Sequence, residues 1–336
     1  MSRVLTPGAV TVDVRLTADD LAAALRRDVR DGLGTPPRTL PPTWFYDDRG
    51  CDLYEQITKL PEYYPFRTEQ ALLRRASLQI AQAAGASVLV ELGSGNSEKT
   101  HELLAAMARA NSGLTGFVAF DVAEATLRSA AAEVAAEQGI DVHAVVGDFR
   151  RHLDAIPADG RPRLVAFLGS TIGNFAPDER REFLSDVGAM LAPSDRFLLA
   201  TDLVKPVPRL VAAYDDAAGV TAAFNRNLLD VLNRELGADF VPERFTHVAR
   251  WNAESSWMEM RLRSDEAATV TLPAVDMVVE LAAGEEIRTE ISAKFTPKQV
   301  AGELGDAGMR PVAFWSDPAG DYLLTLARPE GPARPA

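Results

Sequence analysis

Cysteine is nearly missing from this chain: Cys51 is the only one in 336 residues. A lone thiol cannot close an internal disulfide framework, so a stapled secreted fold is excluded and a reducing cytoplasm is expected. Histidine is almost as scarce. His101, His143, His152 and His247 are scattered without metal-ligand spacing, and with one thiol to join them no metal centre is expected. No apolar run approaches the roughly 20 residues needed to span a bilayer. The N-terminal segment has early acidic residues and no apolar core of the signal type. Positive charge is short as well: 35 Lys and Arg face 48 Asp and Glu, a net charge of −13. That balance argues against nucleic acid or an anionic membrane as partner. It leaves a cationic or zwitterionic small molecule open.

What is present is a large core and a βα rhythm. Hydrophobic residues make up 47% of the chain, enough for two domains or one with an insertion. Residues 1–13 lack strong periodicity. Thr17 with Asp20 three residues on marks a helix start, and Gly32 and Gly34 its end. Pro36, Pro37, Pro41 and Pro42 then impose an extended path, followed by an aromatic stretch from Trp44 to Tyr64. From Ser87 strands and helices alternate: strands at 87–92, 116–121, 142–147, 164–168 and 197–201, with helices at 98–109 and 124–138. Such alternation predicts a parallel sheet covered on both faces. Lys205 to about Phe295 breaks the rhythm with a long helix, about 208–236, and period-2 segments at 245–251, 257–263, 269–272 and 277–281, which read as antiparallel strands. A helix at 296–307 and strands at 311–315 and 322–326 resume the first pattern. The expected architecture is α/β: residues 65–204 with 294–328 as a Rossmann-like domain, residues 1–64 with 205–293 as an inserted α+β domain, and a disordered tail at 329–336.

The first strand of the rhythm ends in Glu91-Leu92-Gly93-Ser94-Gly95-Asn96-Ser97. A glycine-rich turn lets a ligand approach the backbone, and the next helix offers free N–H groups. A dinucleotide fingerprint wants a third glycine where Glu98 stands, and a carboxylate beside a pyrophosphate is electrostatically wrong. Glu91 suits a ligand with positive charge. S-adenosylmethionine carries a sulfonium and an ammonium and has no phosphate. Asp121, ending the second strand, can accept both ribose hydroxyls. Asp148 can accept from the adenine amino group while Phe149 covers the ring. Acidic residues at three successive strand ends favour a methyltransferase over a dehydrogenase.

Together with Glu91-Leu92-Gly93-Ser94-Gly95, the strings Phe120-Asp121-Val122, Gly147-Asp148-Phe149, Phe167-Leu168-Gly169-Ser170-Thr171-Ile172-Gly173-Asn174, Trp44-Phe45-Tyr46-Asp47, Leu60-Pro61-Glu62-Tyr63-Tyr64-Pro65, Tyr214-Asp215-Asp216, Phe224-Asn225-Arg226-Asn227, Gly284-Glu285-Glu286 and Thr289-Glu290-Ile291-Ser292 resemble the L-histidine Nα-methyltransferases of ergothioneine biosynthesis. The resemblance runs from about residue 15 to 328. It departs at Phe66, where a small polar residue is usual, and at Asn96, which replaces a threonine. It implies a class I methyltransferase fold interrupted by a substrate-binding domain. It also implies three successive methyl transfers from S-adenosylmethionine to the amine of L-histidine, giving hercynine and S-adenosylhomocysteine. Gly93, Ser94, Lys99, Asp121, Asp148 and Phe149 are the implied cofactor residues.

Free histidine offers a carboxylate, an amine and an imidazole, and a buried polar group left unpaired costs about 1–3 kcal/mol. Glu290 and Ser292 are two apart, so on a strand they share a face. A carboxylate can accept a ring N–H and a hydroxyl can serve the other nitrogen in either role; the resemblance assigns the pair to the imidazole. Asn174, past the fourth strand, can donate to the substrate carboxylate and accept from the amine. Tyr214 can donate to the same carboxylate. By resemblance Tyr46 sits near the amine and Tyr63 and Gly169 line the site, with Met260 and Tyr54 near the ring. Tyr46 and Asn174 are the expected catalytic residues, with the amine proton leaving through Tyr46 or a water. The expected partners are histidine and its partly methylated forms, on a monomeric chain. The competing expectations are a methyltransferase of the same fold acting on another amino acid such as tryptophan, and a non-catalytic S-adenosylmethionine-binding protein.

Overall fold

The computed structural model describes residues 8–95, 99–110 and 113–330. In chain order the elements are β1 (Val10–Val14), α1 (Ala18–Leu33), β2 (Arg38–Thr39), α2 (Asp48–Lys59), α3 (Tyr64–Ala84), β3 (Val88–Leu92), α4 (Thr100–Arg109), β4 (Gly116–Asp121), α5 (Glu124–Gln138), β5 (Asp141–Val146), β6 (Arg163–Phe167), α6 (Pro177–Met190) and β7 (Arg196–Asp202). Then follow α7 (Val207–Tyr214), α8 (Val220–Leu236), β8 (Phe245–Asn252), β9 (Trp257–Ser264), β10 (Ala268–Leu272), β11 (Met277–Leu281), β12 (Glu286–Ala293), α9 (Pro297–Asp306), β13 (Met309–Ser316) and β14 (Tyr322–Pro329). They divide into two compact units. One holds residues up to Leu16, Thr68–Leu203 and Phe295 onward; the other holds Thr17–Arg67 and Val204–Lys294.

In the first unit, eight strands of the described residues form one sheet in the order β1-β5-β4-β3-β6-β7-β14-β13. Pairing is parallel from β1 to β7 and antiparallel at β7–β14 and β14–β13. β3 and β6 are buried along their whole length, as a strand covered on both faces must be. Leu89, Leu103, Leu127, Leu164 and Leu324 share its core with Leu72, Leu73 and Ile80 of α3. Strand order reverses between β3 and β6, and in open sheets of this kind ligands bind beyond the carboxyl ends of strands at that switch point. This is the Rossmann-like arrangement that the βα rhythm predicts.

The second unit is α+β. A four-stranded sheet, β2-β12-β9-β8, and a β10–β11 hairpin pack with α1, α2, α7 and α8 around Leu25, Val29, Leu228, Leu232, Leu262 and Ile287. α1 starts at a capping box between Thr17 and Asp20, as its sequence predicts.

Four expectations are corrected. β1 pairs along all five residues with β5, so the segment before Leu16 belongs to the first unit and not with the rest of 1–64. The helix expected over 208–236 is two: Gly219 takes φ 74°, and Asp216 receives the Val220 and Thr221 N–H groups at 3.0 and 2.7 Å, starting α8 afresh. Pro329 closes β14, and the Glu330 N–H donates to the Gly308 carbonyl, so a tail does not begin at 329; residues 331–336 lie outside the described residues. The helix expected from Glu98 is described from Thr100. Glu98, on which the case against a dinucleotide partly rests, and Asn96, a departure from the family pattern, also lie outside.

Candidate active site

β3 delivers the glycine-rich turn. The Gly93 and Ser94 N–H groups both donate to the Phe120 carbonyl of neighbouring β4, at 2.8 and 3.0 Å, and Gly93 takes φ 74°. Asp121, at the end of β4, ties the turn down: one carboxylate oxygen accepts the Gly95 N–H at 2.8 Å and the other the Ala123 N–H at 3.0 Å. Each oxygen keeps a further lone pair for a ligand hydroxyl. Phe149 stands edge-on to Phe120, Phe167 and Phe183. A methyl group added at Gly93 would lie 3.5 Å from its ring, so Phe149 flanks the turn. Asp148 accepts the Arg150 N–H with one oxygen. The Ser94 hydroxyl is buried and makes no hydrogen bond among the described residues. Glu91 is buried and accepts from the Thr100 hydroxyl. Desolvation pushes its pKa up to about 8, with Glu69 and Asp121 adding to the rise and Lys99 opposing it.

A second loop leaves β6. Gly169 and Ser170 take φ 75° and 55° in succession. A non-glycine residue in that region costs about 1–3 kcal/mol; here the Ser170 hydroxyl accepts the Asp202 N–H at 2.9 Å and holds the turn. The Gly169 N–H donates to Glu69 at 2.7 Å, and the Lys99 ammonium donates to the other Glu69 oxygen. Glu69, 1% exposed on α3, thus joins the two loops. Sequence reasoning misses it, because an acid inside an amphipathic helix carries no local signal. Asn174 closes the short turn Thr171–Asn174, half-buried, and its side chain makes no hydrogen bond among the described residues.

The other predicted residues gather in the second unit. On β12, Glu290 lies opposite Met260 and Ser292 opposite Met258 of β9, so the acid and the hydroxyl do share a face. Tyr46 stacks edge-on with Tyr54 and Phe224, Tyr54 with Tyr63, and Tyr63 with Tyr214. Tyr214 donates to the Ser292 hydroxyl at 2.8 Å. Sequence reasoning assigns that proton to a substrate carboxylate; in the structure it points to Ser292. The buried Lys294, which sequence reasoning passes over, donates to both hydroxyls at 2.8 Å. Burial raises the Glu290 carboxyl to about 7, with Lys294 opposing. Tyr46 keeps 42% of its surface exposed. Even so, desolvation, then Tyr54 and Glu290, push its phenol well above 10, and the same causes raise Tyr63.

Behind this cluster runs a second network that the sequence did not suggest. His247 bonds the Tyr214 carbonyl through Nε2 and the Asn225 amide through Nδ1, both at 2.8 Å. Asn225 in turn accepts the Thr289 hydroxyl at 2.6 Å. An amide N–H on Nδ1 and a carbonyl on Nε2 define the neutral ring with its proton on Nε2, and burial lowers the His247 pKa accordingly.

Residues 25–329 match the family described as histidine-specific methyltransferase, SAM-dependent. The chain belongs to this family. It is 58% identical over 93% of its length to histidine N-alpha-methyltransferase of Mycolicibacterium smegmatis, spanning 97% of that protein. It is 50% identical over 95% of its length to the protein of the same name in Mycobacterium tuberculosis, spanning 99% of it. A more distant relative is ergothioneine biosynthesis protein 1 of Neurospora crassa, 28% identical over 96% of this chain and 37% of that longer protein.

As an S-adenosylmethionine-dependent methyltransferase the chain must seat a cationic ligand, and the turn after β3 fits one. Glu69, Glu91 and Asp121 face Lys99 there, and the Glu91 carboxyl, raised to about 8 chiefly by burial, is one that a cation seated beside it would favour in its ionised form. The Ser94 hydroxyl, unbonded among the described residues, and the spare lone pairs of Asp121 are polar groups that a ribose or an amino-acid group could bond. No group of His, Cys, Asp and Glu among the described residues could hold a metal ion. No described helix is long and apolar enough to cross a membrane.

Proposed function

We propose that this protein methylates the α-amino nitrogen of free L-histidine three times, forming hercynine as a step of ergothioneine biosynthesis. The observation that carries the substrate assignment is the face shared by Glu290, Ser292 and Met260. It sets one carboxylate, one hydroxyl and one thioether where a planar ring with two nitrogens is satisfied. The names of the two relatives at 58% and 50% identity support the same substrate.

Bound S-adenosylmethionine supplies a sulfonium-activated methyl group. The protein's part is positioning, which converts a bimolecular displacement into an effectively unimolecular one. Gly93, Ser94, Lys99, Asp121, Asp148 and Phe149 hold the donor. Asn174 and Gly169 serve the amino-acid end of the substrate, and Tyr63, Tyr214, Met260, Glu290 and Ser292 hold the rest. An ammonium has no lone pair, so the amine must lose a proton before each transfer. Tyr46 stays protonated at neutral pH, because its phenol is pushed well above 10. The proton therefore goes to water, and the Tyr46 hydroxyl positions the amine. A cytoplasmic, monomeric enzyme is part of this reading.

Mass spectrometry of histidine incubated with enzyme and S-adenosylmethionine tests it. Three added methyl groups are expected on histidine, and little product from tryptophan. Glu290→Ala should erase most of that preference, because a site built to bond a ring loses discrimination when its partner is removed. Undiminished preference in the variant would refute the imidazole assignment.

A further inference from the structure

We infer that Lys294 is a positioning residue that makes the ring site select the neutral imidazole, by turning the Ser292 hydroxyl outward as a donor and by balancing the charge of Glu290. This rests on the assignment of the substrate ring to Glu290 and Ser292.

The hydrogen-bond count leads to it. Lys294 is 1% exposed, and its backbone is anchored by donation to the Ser256 carbonyl at 2.8 Å. An ammonium has only donors. It gives one to the Tyr214 hydroxyl and one to the Ser292 hydroxyl, each at 2.8 Å. Tyr214 passes its own proton to Ser292, again at 2.8 Å. Both lone pairs of the Ser292 oxygen are then filled, and its remaining capacity is its single proton. Whatever nitrogen faces Ser292 must accept. Glu290, when ionised, has only acceptors, so the nitrogen facing it must carry a proton. One N–H and one bare nitrogen describe a neutral imidazole in a single tautomer. An imidazolium presents a second N–H, which would meet the Ser292 donor head on.

Charge acts in the same direction. Within this unit Lys294 on its own segment, and Tyr46 and Tyr63 from the segment around α2, interact electrostatically with Glu290, while Tyr54, Tyr214 of α7 and Cys51 act in turn on Tyr46. His247 of β8 spends its two ring nitrogens on the Tyr214 carbonyl and the Asn225 amide. Glu259 and Arg261 of β9 alternate with Met260 and pair with each other on the opposite face. The tyrosines stay neutral, so an ionised Glu290 offsets Lys294; below about pH 7, where Glu290 takes up a proton, that offset is lost, and in either state a cationic ring adds uncompensated positive charge.

Calorimetry of ligand binding in the presence of S-adenosylhomocysteine tests this without turnover. Histidine is compared with its 1,2,4-triazolyl analogue at several values between about pH 5 and 8. The triazole offers an N–H and bare nitrogens but is too weakly basic to gain a proton in that range. Titration of the protein's own groups acts on both ligands and divides out of the ratio of their dissociation constants. In the wild type the histidine-to-triazole ratio should rise by up to about tenfold for each pH unit below about 6.5, where free imidazole protonates. In Lys294→Met, where Ser292 is free to accept and Glu290 is unbalanced, the ratio should rise no more than about threefold over the whole range. Lys294→Arg, keeping charge and donors, should restore the rise.

A pH-independent ratio in the wild type overturns the proposal with no variant needed, and so does a Lys294→Met protein that keeps the wild-type rise. If Lys294→Met fails to fold, Ser292→Ala takes its place. It removes the outward donor and should shrink the ratio at about pH 5; an unchanged ratio overturns the proposal. Failure of the parent assignment looks different: Glu290→Ala would leave histidine affinity intact at every pH.

Discussion

Glu91→Gln should make the protein more stable and its donor site worse, and the two effects should separate with pH. Glu91 is 3% exposed, one residue from the end of a fully buried strand. Its folded pKa is about 8 against an ordinary 4.5. Between those values the folded carboxyl keeps a proton that the unfolded chain has released. The folded state then binds more protons than the unfolded state, so stability falls as pH rises through the window. Below about pH 4.5 both states are protonated and there is no penalty; above about pH 8 both are ionised and the penalty is complete. At about 1.4 kcal/mol per pH unit the difference between 4.5 and about 8 corresponds to at most ~5 kcal/mol. Water penetration and relaxation in the real protein reduce this, so ~2–4 kcal/mol is the expected gain.

Glutamine fills the same volume and can still accept from Thr100, but it never ionises. Urea unfolding of both proteins without ligand, followed by circular dichroism, should give nearly coincident curves near pH 5 and a more stable variant near pH 8.5. The subtraction removes every other titrating group from the comparison. A stability difference that does not grow with pH, or a wild type that is the more stable protein near pH 8.5, would show that Glu91 is not held protonated by its surroundings. S-adenosylmethionine should bind the variant more weakly, since the amide offers no charge to a sulfonium or ammonium. In the wild type near pH 7.5, binding the cation should expel a proton, visible as a dependence of the binding heat on the buffer's ionisation enthalpy.

Glu69→Gln keeps an acceptor for the Gly169 N–H but removes the charge that the partly buried Lys99 ammonium pairs with. Removing one partner of such a pair costs about 3–5 kcal/mol, to be read as a lower melting temperature together with a raised KM for S-adenosylmethionine. His247→Ala should cost about 1–3 kcal/mol by removing the partner of the Tyr214 carbonyl and of one Asn225 amide N–H. Because His247 is held below its ordinary 6.5, the unfolded chain gains a proton first as pH falls. Wild-type stability should therefore drop below about pH 6.5 by an amount the variant lacks, measured by denaturation at pH 5 and 7.5. Tyr46→Phe should lower the rate of histidine methylation without moving the pH profile; loss of the alkaline limb would instead make Tyr46 the proton acceptor.

The sheet was legible because its strands are short apolar runs between strong punctuators, and β4, α5 and β11 carry the bounds that the pattern predicts. β1 was not: its β-branched VTVDV is short and isolated in the sequence, and the strand it pairs with, β5, lies some 130 residues away. The break between α7 and α8 was hidden by helix-forming alanines, and only the folded position of Asp216 reveals a cap. The acids at the strand ends were readable because position and charge coincide. Lys294, Glu69 and His247 were not, since a lysine, a glutamate and a histidine read as surface residues until their partners are known.

The fold also explains why polar residues sit where core residues belong. Ile287 of β12 is fully buried opposite Leu262 of β9. Three residues on, Glu290 ought to point the other way, because alternate residues of a strand face opposite sides. Between Arg288 and Glu290 the register shifts by one, with Thr289 as the extra residue. A bulge of this kind re-aims every side chain beyond it. On β9 the inward stripe is Leu262, Met260 and Met258; on β12 it becomes Ile287, Glu290 and Ser292. The shift carries an acid and a hydroxyl onto the face that Ile287 would otherwise continue with apolar residues. Such an arrangement is unfavourable for stability alone, and the structure spends a network on it: the Thr289 hydroxyl is bonded to Asn225 and approaches the Met260 carbonyl at 3.1 Å, while Asn225 reaches His247 and, through it, Tyr214. One chain of hydrogen bonds thus sets both the bulge that aims Glu290 and the helix end that carries Tyr214, so the polar face and the hydroxyl above it are positioned by the same buried residues.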